Sequence, residues 1–81
     1  MMRIKKVYNK NEITKIEFKT NRVIPIGEKV SIEIDNLSYE FNVTESVTEG
    51  NAFTYKAMYR YLPVSNKFDF RTLIDSKVTV C

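Results

Sequence analysis

Two carboxylate pairs, Glu45 with Glu49 and Asp69 with Asp75, are the groups in this 81-residue chain whose spacing suits acid-base chemistry. Paired acids hydrolyse a bond when their surroundings split their pKa values and a cleft holds the substrate. Both pairs fall in polar stretches, where they read as solvated loop charge, and one small domain has little room for a deep cleft. Other catalytic chemistry is missing. The chain has no histidine, so it lacks the usual base near neutral pH and the commonest transition-metal ligand. Cys81 is the single cysteine and can build neither a thiolate metal cluster nor an intrachain disulfide. Gly27 and Gly50 are the two glycines, too few for a phosphate-cradling or dinucleotide-binding loop. The expectation is a non-enzyme without metal or cofactor.

Charge carries more information. Residues 1–29 hold eight Lys and Arg against three Glu, residues 30–55 five carboxylates and no base, and residues 56–81 five bases against two acids, for a net charge of +3. The chain is segregated by sign. Its acidic middle would attract a basic partner, speeding encounter and rejecting wrong partners, unless it pairs with the protein's own basic strands. Its basic front, with Arg3, Lys5, Lys6, Lys10, Lys15 and Lys19, is the natural place for nonspecific contact with phosphates.

Strands must position these charges. In residues 52–62, Phe53, Tyr55, Ala57, Tyr59 and Tyr61 alternate with Thr54, Lys56, Met58 and Arg60, a period of two that puts rings on one face and cations on the other. This is the longest strand candidate and is taken as the central one. Residues 29–35 alternate Val30, Ile32 and Ile34 inward against Ser31, Glu33 and Asp35 outward. Tyr39, Phe41 and Val43 resume the inward face after a turn over residues 35–38, with Glu40 outward. Residues 13–20 form another half-solvated strand, paired as a hairpin with a shorter one over residues 4–8 in which Lys5 and Lys6 blur the alternation. Residues 44–51 read as a polar link in which Val47 extends either neighbouring strand. Residues 21–27 read as a connection, with Val23, Ile24 and Ile26 lying across the edge of the core. After Pro63, Phe70, Leu73 and Ile74 fit a helical face capped by Ser65, and Val78 with Val80 a closing strand.

The whole is expected to be one mainly β domain: a small five- or six-stranded antiparallel barrel or curled sheet with one short C-terminal helix. Closure or curling hides strand edges that would otherwise recruit other chains. The segment Gly27-Glu28-Lys29-Val30 leading into a strand resembles the opening of many small barrels, SH3-like and PilZ domains among them. The paired-arginine and Asp-x-Ser-x-x-Gly motifs with which PilZ domains hold a cyclic dinucleotide are absent, so no family is assigned.

No apolar run approaches the roughly 20 residues that cross a bilayer, and no apolar segment follows the basic start, so neither a membrane span nor a secretory leader is expected. A cytoplasmic setting follows. The Asn-x-Ser/Thr triplets at Asn36 and Asn42 are discounted on the same ground. The favoured function is a non-catalytic protein-protein interaction module, an adaptor, assembly component or inhibitor that binds another protein by surface complementarity. Its Ile, Lys and Asn bias suits an AT-rich genome such as that of a bacteriophage or mobile element. The contact residues expected are Glu33, Asp35 and Glu40 on the acidic hairpin, and Met58, Tyr59, Arg60 and Tyr61 at the tyrosine end of the central strand, because tyrosine supplies anchoring area at interfaces. The alternative is nucleic-acid binding through the basic N-terminal hairpin. The pleat opposes simple base stacking, since the central strand's rings and cations face opposite ways; a bulge near Ala57 and Met58 would change that.

Overall fold

In the computed structural model, which describes residues 2–81, six antiparallel strands form one sheet in the order β1-β2-β5-β4-β3-β6. The strands are β1 (Ile4–Lys10), β2 (Ile13–Thr20), β3 (Lys29–Ile34), β4 (Leu37–Glu49), β5 (Ala52–Arg60) and β6 (Thr79–Val80). A single turn of 3-10 helix, Phe70–Leu73, precedes β6. Three connections are two-residue hairpins. Asn11 and Glu12 join β1 to β2, and Asp35 and Asn36 join β3 to β4, all four at positive φ, the conformation whose twist matches that of the flanking strands. Gly50 (φ 61°) opens the third, between β4 and β5. The strand read as central from its alternation, β5, lies between β2 and β4 in the middle of the sheet.

The sheet curls without closing into a barrel, and the C-terminal segment holds the curl. On the β1 side, the amides of Ile4, Asp75 and Val78 donate to the carbonyls of Ser76, Ile4 and Met2 at 2.8–2.9 Å. Arg3 and Lys77 form an isolated bridge. On the β3 side, Ser31 pairs with Thr79 and Val30 with Val80, and the Cys81 amide donates to the Lys29 carbonyl. The barrel considered from the sequence is not reached, because β6 has two residues and no continuous ladder runs between it and β1.

Curling puts one face of the sheet inside. Ile4, Ile16, Phe18, Val30, Ile32, Phe41, Val43, Tyr55 and Ala57 are buried there, with Ile24, Leu73 and Val78 closing the ends. The buried Tyr55 hydroxyl is satisfied by the connection that crosses above it: it accepts the Ile24 amide at 2.7 Å and donates to the Arg22 carbonyl at 3.3 Å. Of the three apolar residues in that connection, Ile24 is buried, whereas Val23 and Ile26 are exposed.

Several expectations change. The link expected over residues 44–51 is mostly strand, so β4, with 13 residues, is longer than β5, with 9. A register shift between Val43 and Glu45 explains it: one extra residue turns Val47 and Glu49 to the solvent face, which erases the inward pattern without ending the strand. The bulge lies on β4, facing Ala57, and not on β5. A second shift between Ile4 and Lys6 accounts for the blurred alternation of β1. Tyr61 leaves the ring face of β5: it sits at φ 61° and its amide donates to the Glu12 carbonyl. The C-terminal helix is reduced to its 3-10 turn, capped by Asp69 and not by Ser65. Of its apolar residues Leu73 is buried, Phe70 half-buried and Ile74 exposed.

Removing the Tyr55 hydroxyl leaves the Ile24 amide buried without its acceptor. Tyr55→Phe is expected to cost about 1–3 kcal/mol in urea unfolding, while Tyr8→Phe on the surface stays within about 0.5 kcal/mol. Glu12 holds a left-handed conformation that a side chain resists, so Glu12→Gly is expected to stabilise the protein by up to about 1 kcal/mol in the same measurement.

Candidate functional site

The outer face of the sheet carries the charged side chains of β1 to β5. Cross-strand pairing places Lys6, Tyr8 and Lys10 of β1 opposite Glu17, Lys15 and Ile13 of β2. These in turn stand opposite Lys56, Met58 and Arg60 of β5. Because of the β1 bulge, Lys5 joins Lys6 in lining a shallow hollow with Glu17, Lys19 and Glu49. The β1-β2-β5 part of this face is therefore basic. Beyond it, Glu45, Val47 and Glu49 of β4 stand opposite Lys56, Thr54 and Ala52, and Glu40 and Glu33 lie further on, opposite Ser31 and Ser38. Sequence segregation has become spatial zoning.

Where the zones meet, they neutralise each other. Lys56 Nζ lies 3.6 Å from Glu45 Oε2, and Lys19 Nζ 3.3 Å from Glu49 Oε2. The Tyr8 hydroxyl donates to Glu17 at 3.4 Å. Asp69 is held by Arg71, whose hydrogen bonds lower its pKa. Two of the four carboxylates weighed as acid-base pairs thus face lysines and a third caps a turn. Among the described residues no group of three or more His, Cys, Asp or Glu could hold a metal ion. Glu33, Asp35 and Glu40 take part in none of the three ion pairs of the described residues.

A split in the sheet lies beside these last acids. The β4-β5 ladder starts at Asn42 and Met58. Short of that pair, β4 keeps β3 as its partner down to Leu37, and β5 keeps β2 up to Arg60. The two middle strands therefore part like the tines of a fork. A groove of about 460 Å³ opens there, lined by Tyr39, Glu40 and Asn42 of β4, Tyr59 of β5, and Lys29 and Ser31 of β3, with Ser38 at its mouth. Tyr39 and Tyr59 meet edge to face with ring centroids 5.8 Å apart, and Tyr59 also packs on Phe41 at 5.3 Å. Both tyrosines are half-buried. Cys81, exposed at the same edge, has its thiol pKa raised, first by desolvation and then by the Glu40 carboxylate beside it, with Lys29 opposing.

The residues expected to make contacts are distributed unequally. Glu40 and Tyr59, drawn from the acidic hairpin and the tyrosine end of the central strand, come together in the groove. Glu33 lies two pairs further along the same edge, and Asp35 sits in the turn. Met58 and Arg60 are on the outer face, the first half-buried and the second exposed, whereas Tyr59 points the other way. Tyr61 is 65% exposed and lines a separate hollow with Leu62, Val64 and Phe70, so the four do not form one patch. Of the basic set, Lys5, Lys6, Lys10 and Lys15 share the outer face, Lys19 is paired with Glu49, and Arg3 reaches the Asp75 carbonyl. Tyr39, Lys29, Ser31, Ser38 and Asn42 belong to the groove without having been singled out from sequence. Their alternation marks which face they take, but no sequence pattern marks where a ladder ends.

Compared with protein-family models, curated proteins and solved structures, the chain matches none. The site stands on its own geometry.

Since Glu40 helps to hold the Cys81 thiol protonated, Glu40→Gln is expected to speed alkylation of Cys81 by iodoacetamide at pH 8, because the thiolate is the reacting form. An unchanged rate would separate the two groups.

Proposed function

We propose that this protein is a non-catalytic protein-protein interaction module, acting in the cytoplasm, that docks a partner at the acidic edge where β4 and β5 part. One observation carries the reading. The β4-β5 fork gathers Glu40 with Tyr39 and Tyr59, a carboxylate outside the ion pairs of the described residues with aromatic surface, whereas the other acids of β4 are spent on internal ion pairs. Tyrosines that present area at little entropic cost, beside charge that orients the encounter, are the usual makings of a contact site. Among the described residues no helix is long and apolar enough to cross a membrane. Affinity capture from a bacterial lysate, with the wild type beside Glu33→Lys plus Glu40→Lys, tests the reading. A partner lost with the double variant supports it; a partner set unchanged by it removes this face from the interaction.

A second reading has its own observation. Tyr8, 48% exposed, shares the basic part of the outer face with Lys6, Lys10 and Lys15, an aromatic ring among cations of the kind that stacks a nucleotide base. On this reading single-stranded DNA is retarded at low salt, released as salt rises, and no longer retarded by Lys5→Glu with Lys6→Glu. Absence of retardation at low salt eliminates it.

A further inference from the structure

We infer that the β4-β5 fork receives the guanidinium of an arginine carried on an extended segment of the partner protein. This deepens the protein-docking reading and rests on it. The groove is an opening about 460 Å³ in volume, ample for one long side chain and the backbone beside it. Its aromatic wall is asymmetric: Tyr59 is held between Tyr39 and Phe41, while Tyr39 has Tyr59 as its ring neighbour. The rings have negative faces that attract a cation, most strongly one that is planar and weakly hydrated. Glu40 supplies the counter-charge, and a fork-shaped donor can bond both of its oxygens. Ser31, opposite Glu40 in the ladder, and Ser38 at the mouth are small enough to leave the approach open.

Lys29 fixes which way the ligand lies. It pairs with Asn42, the residue at which the β4-β5 ladder begins, and so stands at the closed end of the fork. Glu40 lies two residues toward the open end. A cation entering from the mouth meets the carboxylate and rings first and is stopped short of the lysine. Arginine is therefore favoured over lysine, whose compact ammonium cannot both stack and bond the carboxylate in two places.

The test is a ¹⁵N-¹H NMR titration of the full chain with blocked pentapeptides of glycine and serine carrying one central arginine, lysine or citrulline. The arginine peptide is expected to shift the amides of Glu40, Asn42, Met58 and Tyr59, with lysine weaker and uncharged citrulline weakest. Glu40→Gln should weaken arginine binding about 5-fold, the scale of one exposed charge contact, and Lys29→Ala should tighten it. Tyr39→Leu, with its spectrum still dispersed, should weaken it as well. Equal binding of citrulline, shifts confined to other surfaces, or no effect of Glu40→Gln overturns the inference. If arginine fails while Glu33→Lys plus Glu40→Lys still loses a captured partner, the arginine assignment alone falls; if neither has an effect, the docking surface falls with it.

Discussion

Consecutive residues of the C-terminal segment hydrogen-bond opposite margins of the sheet, and the shape of the molecule follows from that. Val78 bonds the chain just before β1, and Thr79 pairs with β3. In a flat sheet the flanking positions outside β1 and β3 would stand six strand spacings apart, about 29 Å at about 4.8 Å per spacing. Neighbouring Cα atoms are about 3.8 Å apart. The sheet has to bend until its margins almost touch. Bending creates an inside, and the apolar alternation of β2, β3 and β5 fills it with Ile16, Phe18, Val30, Ile32, Tyr55 and Ala57.

Irregularities then decide what the outside presents. The β1 bulge puts consecutive lysines on one surface, and the β4 bulge turns Glu45 and Glu49 toward Lys56 and Lys19. Without the extra residue in β4 these carboxylates would project toward the interior, where an ionised acid is costly. The ion pairs are exposed and each is worth little. Their effect is to use up the acids at the centre of the face and leave those beside the fork available.

Much of this is legible in the sequence, and the illegible parts have a common cause. The alternation in residues 13–20, 29–35 and 52–60 identifies β2, β3 and β5 and their buried faces, and the Asp35-Asn36 turn is marked by residues that tolerate positive φ. The continuation of β4 is hidden because a bulge breaks the period of two on which the reading relies. The departure of Tyr61 from its strand is hidden because a left-handed tyrosine has no sequence signal. The acids and tyrosines of the candidate site can be picked out as residue types, but their meeting in one groove depends on the place where two strands stop pairing. That place is set by the registers of strands distant in sequence, and no local window contains it.

The seam at the sheet margin also bears on the order of folding. Each two-residue hairpin brings together neighbours in the chain and can form in microseconds. The contact between residues 2–4 and 75–78 closes nearly the entire chain into a loop, the slowest kind of encounter. Until it forms, β1 and β3 have bare margins able to template other chains, and the adjacent lysines of β1 then act as gatekeepers against association in the nascent state.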